Sequence, residues 1–421
     1  MTLLKRARLI LGMLAYALSL LTDTLSRSLA RSLHRLTRRP LPPSTPRKTV
    51  LVVGASFAGH HAATLLAPAL PPSHRLVVVE PRDRFFFTWI FPRLAVVPGH
   101  EAKGFIPYGG LLRGAAVEWR RGEVERVVRG GVVLVGGEAV EAEFVVLATG
   151  AVARGPPAGL GVVGKGEGMR VLRGVQVGVE RAVGPVVVVG GGAVGVEVAA
   201  DVKGRWPGKR VVLVHSRAEV LGRFGRELRA CVMEALGELG VEFVLGEKVV
   251  GEVDGVVTLT SGRTLECGYL IDCTGHKPAS GILAELSPSS IAESGHIKVK
   301  PTMQIVDESF PNIYAAGDVA ETGTKRANAR TSMSQARIAV DNILLAIKGQ
   351  SPRYQYKPLW QEGSILLTLG LEKQVVNVSD GETELLFQSK TKDITLHAAS
   401  GWKHMGVKPY VDDYEDKTEV D

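Results

Sequence analysis

Cysteine is nearly missing: Cys231, Cys267 and Cys273 are the three in a chain of 421 residues. So few argue against a disulfide-built secreted scaffold. No Cys-x-x-Cys or Cys/His group has metal-ligand spacing, so no metal site is expected. Acids are nearly missing from the first 48 residues, which hold ten Lys/Arg against Asp23 alone. The rest of the chain carries one more acid than base, so the formal charge of +8 belongs to the leader and the body is neutral. A neutral body opposes nucleic-acid binding, which needs clustered cations, and no nucleic-acid partner is expected. Nor does the apolar stretch 9–22 (LILGMLAYALSLLT) reach membrane-spanning length: it has fourteen residues where about 20 are needed.

Glycine, by contrast, is abundant at 49 residues, and 45% of the chain is hydrophobic. That is enough for a large core and for two or three domains. The leader continues from Leu25 to Leu36 as Leu alternating with Arg and Ser, a basic amphipathic pattern. Its Arg-rich, Ser-rich, acid-poor composition suits a mitochondrial presequence, or a helix lying on an anionic membrane. A secretory signal fits less well, and a basic tail without consequence is the bland alternative. The expected location is therefore mitochondrial or membrane-associated, with the cytosolic face allowed. The Pro-rich segment 40–46 reads as a linker into the body.

Beyond it a strand, glycine turn and helix occur twice. In the first unit TVLVVG, β-branched and apolar, leads into Gly54-Ala55-Ser56-Phe57-Ala58-Gly59 and an Ala/Leu-rich helix. Such a turn aims backbone N–H groups and the positive helix end at a pyrophosphate. The next strand, RLVVVE, ends in Glu80, where a carboxylate meets a ribose 2′-hydroxyl and favours an adenosine without 2′-phosphate. The middle glycine of the motif is replaced by Ser56, which is small and carries a hydroxyl.

The second unit, PVVVVG, has Gly190, Gly192 and Gly195 at all three motif positions. Its next strand, RVVLVHSR, ends without an acid; His215, Ser216 and Arg217 stand there instead. The unit reads as a nicotinamide-nucleotide site, NADH or NADPH. Without an acid to repel a 2′-phosphate, and with Arg217 to receive it, NADPH should be accepted at least as well as NADH.

Two further strands, FVVLATG and YLIDCTG, end in small-residue turns at Thr149-Gly150 and Thr274-Gly275, read as crossings between domains. Near the end, PNIYAAGDVAE places Gly317 and Asp318 after a strand, where an acid can accept a hydrogen bond from a ribityl hydroxyl.

The order of these motifs resembles the two-dinucleotide flavoproteins of the pyridine-nucleotide oxidoreductase superfamily. Residues 87–110 (FTWIFPRLAVVPGHEAKGFIPYGG) and 325–343 (KRANARTSMSQARIAVDNI) are most similar to the fungal apoptosis-inducing-factor-like oxidoreductases, related to ferroptosis suppressor protein and type II NADH dehydrogenases. The resemblance spans roughly 48–375. It implies an α/β fold of two Rossmann-like domains plus a C-terminal segment. It also implies FAD on residues matching Gly54, Ser56, Gly59, Glu80 and Asp318, and NAD(P)H around Gly190 to Gly195. The cofactor-contact set expected from motif and resemblance together adds Ala58, Thr149, Gly150, Arg217, Thr274, Gly275 and Gly317. The implied division is a leader at 1–48, an FAD domain in two pieces at 49–160 and 270–345, an NAD(P)H domain at 161–269 and a C-terminal segment at 346–421. Residues around PLWQEGSILLTLGLEKQVV would pack over the flavin.

Disulfide reductases of that superfamily carry a cysteine pair beside the flavin, which Cys267 and Cys273 do not match. Electrons would pass from NAD(P)H to flavin and directly on to an outside acceptor. With a membrane-tending leader, a quinone is the natural candidate. The aromatic segment FFFTWIFPRL (85–94) is a candidate lining for its slot, or else core, and Gln335 is a candidate neighbour of flavin or quinone. No residue is assigned a catalytic role. A soluble-acceptor reductase or oxidase, and a nucleotide-sensing signalling protein, are the competing readings.

Overall fold

The strand Lys48–Val53 is apolar and buried after its first residue, as a parallel strand covered on both faces requires. The computed structural model describes residues 3–37, 46–109, 112 and 117–412. Lys48–Val53 is the middle of a five-stranded sheet ordered 313–315, 144–147, 48–53, 74–80, 117–121, with every neighbour parallel. A four-stranded sheet, also parallel, runs 241–245, 211–215, 186–189, 269–272. In each sheet the strand before the glycine turn leads into a helix, Phe57–Ala69 or Ala193–Arg205. This is the α/β architecture with two Rossmann-like sheets that the motifs imply.

The strand Ile313–Ala315 reaches the first sheet from beyond the second, pairing with Val145–Leu147. A boundary between residues 269 and 270, as expected from the sequence, needs correction. It cuts the strand Tyr269–Asp272, all four residues of which pair with Val186–Val189 in the second sheet. An apolar run does not say which sheet will take it. Directly after the two strands that end in Thr-Gly turns, Ala151–Ala153 and His276–Pro278 pair as an antiparallel ribbon joining the two sheets.

The C-terminal segment forms a three-stranded antiparallel sheet, 365–368, 373–379 and 384–390, and the helix Ala398–His404. Leu367, Leu369, Val375 and Trp402 share a core with Val186, Val188 and the aromatic segment.

The leader also departs from its expected form. Leu3–Thr37 is one helix of 35 residues, not a short apolar run followed by a separate amphipathic piece. Leu, Ala and Arg are strong helix formers, and Asp23 is held by Arg27 one turn on at 2.9 Å, so nothing interrupts it. By length and composition its part Leu4–Arg27, of mean hydropathy 1.6, is long enough to cross a membrane. The Pro-rich connection expected at 40–46 lies, apart from Pro46, outside the described residues.

Candidate active site

Parallel strands present their C-terminal ends on one edge, and the sequence-predicted residues gather on two such edges. On the first sheet, Gly54 to Gly59 follow Lys48–Val53, Glu80 ends His74–Glu80, Thr149 and Gly150 follow Phe144–Leu147, and Gly317 and Asp318 follow Ile313–Ala315. The turn is built on close approach. Gly54 has φ +88°, and a Cβ there would lie 2.6 Å from the Ala148 carbonyl oxygen. A Cβ on Gly59 would lie 1.8 Å from the Gly54 carbonyl oxygen, so these glycines let the helix start against its own turn. Ser56 begins the helix in extended conformation without a side-chain cap bond.

The second sheet repeats this geometry. Gly190 has φ +111°, and a Cβ there would lie 2.7 Å from the Cys273 carbonyl oxygen. A Cβ on Gly195 would strike the Gly190 carbonyl oxygen at 1.8 Å. Gly192 occupies the place of Ser56 at the helix start, with φ −80°. A side chain begun at Gly192, Gly150 or Gly275 meets nothing within 4 Å, so these three positions face open space rather than protein. The residues present therefore fit a pyrophosphate approaching each turn.

Glu80 and His215 are also equivalent. Ala55 N–H donates to Glu80 Oε2 at 2.6 Å, and Gly191 N–H donates to His215 Nδ1 at 3.1 Å. Partial burial and the Arg217 charge lower the His215 pKa, which favours the neutral ring, and accepting at Nδ1 leaves that ring's proton on Nε2. Ser216 and Arg217 follow on the exposed loop.

Between the sheets, Thr149 Oγ1 donates to Ala279 O at 2.7 Å, and Thr274 donates through Oγ1 and N to Asp272 Oδ1 at 2.5 and 2.8 Å. Gly317 packs on the helix Phe57–Ala69, its Cβ position 3.1 Å from Ala58 Cβ. Asp318 is open to solvent, yet the protein walls around it desolvate its carboxyl and raise its pKa against the opposing pull of His276 and His296.

Gln335 is buried and belongs to this edge. Its Oε1 accepts Gly317 N–H at 2.8 Å and its Nε2 donates to Thr322 Oγ1 at 3.1 Å, which fixes the turn carrying Asp318. Asn328 caps Ala329–Ile347, the helix that carries Gln335, in a full capping box with Thr331.

The aromatic segment is different from a slot lining. Phe85, Phe86, Phe87, Ile90, Phe91 and Leu94 are all buried, and Phe86 stands edge-on to Phe105 at 4.9 Å. Only Trp89 of its aromatics is exposed. Long apolar side chains from three elements claimed these positions for the core.

A buried ionisable cluster escaped the motif reading. Arg93 Nε donates to Asp201 Oδ2 at 2.7 Å with both side chains fully buried. One turn back, Glu197 accepts Thr368 N–H and Oγ1–H at 3.0 and 3.1 Å. Burial, with Asp201 adding to it, pushes the Glu197 carboxyl up to about 8. The available signal was two acids four residues apart on the apolar first turns of Ala193–Arg205. All three cysteines are free; burial raises each thiol, Cys273 most.

Comparison with known proteins gives the same answer as the geometry. Residues 48–342 match the family model described as pyridine nucleotide-disulphide oxidoreductase. The chain is 31% identical over 402 residues to Fe-regulated protein 8 of Mycosarcoma maydis, covering 86% of this chain and 96% of that protein. It is 30% identical over 371 residues to ferroptosis suppressor protein 1 of Taeniopygia guttata, covering 85% and 95%. Among solved structures, the sulfide:quinone oxidoreductase of Aquifex aeolicus shares the fold with a TM-score of 0.69 at 16% identity, covering 85% of this chain and 90% of that one. Two glycine turns on two parallel sheets, matched along most of the body, make this chain a member of the pyridine nucleotide-disulphide oxidoreductase family, an NAD(P)H-dependent flavin oxidoreductase with FAD and NAD(P)H as its cofactors.

Proposed function

We propose that this protein is a membrane-associated NAD(P)H:quinone oxidoreductase, with FAD on the edge of the first sheet and NAD(P)H on that of the second. Bound FAD supplies a group that accepts hydride from the nicotinamide and gives up its electrons to a second substrate. The chain's own part is to bind and orient. Gly54 lets the chain turn beside the FAD pyrophosphate, Ser56, Ala58 and Gly59 offer it backbone N–H groups, and Glu80 takes the adenosine ribose. Asp318, fixed by Gln335 through Gly317, receives a ribityl hydroxyl. Gly190, Gly192 and Gly195 take the nicotinamide-nucleotide pyrophosphate, and His215 and Arg217 meet its adenosine ribose. Thr149, Gly150, Thr274 and Gly275, at the roots of the ribbon, let the two nucleotides approach closely. The first sheet with its strand at 313–315 is thus the FAD domain, and the second the NAD(P)H domain.

The observation that carries the acceptor assignment is the cysteine inventory. Cys267 and Cys273 flank one strand of the second sheet and are free. With no dithiol to relay electrons, they leave the flavin directly for an outside acceptor. A membrane-tending leader makes that acceptor a lipid quinone, and the Aquifex aeolicus fold neighbour is by its name a quinone reductase. Steady-state NAD(P)H oxidation by the purified, FAD-loaded protein tests this with a short-chain ubiquinone, a dye or oxygen as acceptor. Turnover clearly faster with the quinone supports the reading. Turnover with dye or oxygen alone replaces it with a soluble-acceptor reductase or oxidase.

A further inference from the structure

The leader helix has two opposite faces, and one of them is already committed to the body. On that face Leu9 is buried, Gly12 sits against Trp360, and Tyr16 lies beside Ser334, Arg330, Arg337 and Glu362. Further on, Arg27 makes a bidentate pair with Asp341 at 2.8 and 2.7 Å, while Asp23 bridges Arg27 at 2.9 Å and Arg337 at 3.1 Å. Leu9, Gly12, Tyr16, Asp23 and Arg27 recur at helical spacing, so one face is clamped over about 27 Å of helix. The clamp grips Ala329–Ile347, the helix whose Gln335 holds Gly317.

On the other face, Leu4, Leu11, Leu14, Leu18, Leu21 and Leu25 are all exposed, between 61% and 80%. Their spacing of three, four and seven residues makes one continuous apolar stripe. Lys5, Arg6 and Arg8 are exposed at its start. A helix crossing the bilayer would have to leave the body, break the Arg27–Asp341 and Asp23–Arg337 pairs and carry Asp23 and Arg27 toward hydrocarbon. A cleaved presequence would have no reason to hold the body at all.

We propose that the leader is a permanent part of the folded protein that lies flat on an anionic lipid surface. Its leucine stripe enters the headgroup–acyl boundary, its cations meet anionic headgroups, and its inner face keeps the body and the Gln335 helix against the membrane. This deepens the membrane attachment in the reading above and rests on it.

The test uses the full chain, loaded with FAD, and vesicles of phosphatidylcholine and phosphatidylserine at about three to one. Wild type should float with these vesicles, and the variant L11Q/L14Q/L18Q/L21Q should bind at least about tenfold more weakly. Flavin content, melting temperature and turnover with a water-soluble quinone should be unchanged in that variant. Alkaline carbonate should release wild type from the vesicles, and Asp341→Ala should expose the leader to limited proteolysis. Undiminished vesicle binding by the stripe variant overturns the proposal, as does resistance to carbonate, which marks a spanning helix. Wild type that ignores vesicles and forms a dimer broken by the stripe variant overturns it in favour of a second copy on the stripe. Soluble-quinone turnover in the same samples separates this from the enzymatic reading: its loss with vesicle binding intact counts against the acceptor and not the leader.

Discussion

His215 stands to Gly191 as Glu80 stands to Ala55: each ends the second strand of its unit and accepts the backbone N–H of the glycine turn's second residue, at 3.1 and 2.6 Å. At this place the two nucleotide sites differ, carboxylate against neutral imidazole. An imidazole with its proton on Nε2 donates where a carboxylate accepts, and it carries no charge to repel a 2′-phosphate. Arg217, two residues on, is exposed and adds a cation.

NADPH should therefore be used at least as well as NADH. His215→Glu should shift kcat/KM toward NADH by roughly tenfold or more, since a charge-assisted bond is worth about 1.5–3 kcal/mol. Arg217→Ala should raise the KM for NADPH and leave that for NADH nearly unchanged. Steady-state kinetics with both nucleotides checks this, and a wild type preferring NADH more than about tenfold, or an Arg217→Ala defect equal for both, removes the argument.

The glycines of one turn should fail in different ways. Gly195→Ala drives a Cβ to 1.8 Å from Gly190 O and should cost folding, read as a lower yield and melting temperature. Gly192→Ala meets no protein atom within 4 Å, so it should fold normally and keep its flavin. Its nicotinamide-nucleotide affinity should fall by roughly tenfold, equivalent to about 1.4 kcal/mol, as measured by titration. Normal binding by Gly192→Ala would place the pyrophosphate elsewhere.

The Arg93–Asp201 pair should be costly to halve. Arg93→Met leaves Asp201 buried without a counter-charge, and also strips a donor from Gly370 O at 3.0 Å. The expected loss is about 3–5 kcal/mol in urea unfolding, and Asp201→Leu added to it should recover a good part. A loss under about 1 kcal/mol would mean water reaches the pair.

Stability should pass through a maximum in pH. His60 and His61 are held at about 4 by burial, below the ordinary 6.5. From about pH 4 to 6.5 the unfolded chain binds more protons there, which raises stability with pH, while Asp201, raised by burial from 3.8 to about 6, opposes this up to about pH 6. Glu197, raised from 4.5 to about 8, has the opposite sign: the folded chain holds its proton longer, and stability falls as pH rises toward 8. Above about pH 6.5 the Glu197 effect stands alone, with a slope of at most about 1.4 kcal/mol per pH unit. Melting temperatures across this range should show the alkaline fall in wild type and a flatter curve in Glu197→Gln. An unchanged fall in the variant would assign it to another group.

The strand–turn–helix units were legible because their physics is local. Gly59 and Gly195 are needed whatever surrounds the turn, since a Cβ there strikes the turn's own carbonyl, and Gly54 and Gly190 are needed for their positive φ as well as for the close approach of Ala148 and Cys273. The equivalence of Glu80 and the 215–217 loop was visible as a count of residues along two strands. The choice of His215 over Arg217 as the residue facing the turn was not, because it depends on where the strand ends.

Sequence alone thus determined the two dinucleotide units, the neutral body with a basic leader, and the lack of a dithiol, all of which are set by local sterics or by composition. Tertiary structure decided the rest. It placed Tyr269–Asp272 in the second sheet, sent the Phe85–Leu94 segment into the core, and set Gln335 against Gly317. It also folded the leader as one helix clamped by Arg27 to Asp341. These outcomes depend on which residues far apart in the chain compete for the same buried volume or the same counter-charge, and periodicity along a single segment carries no record of that competition.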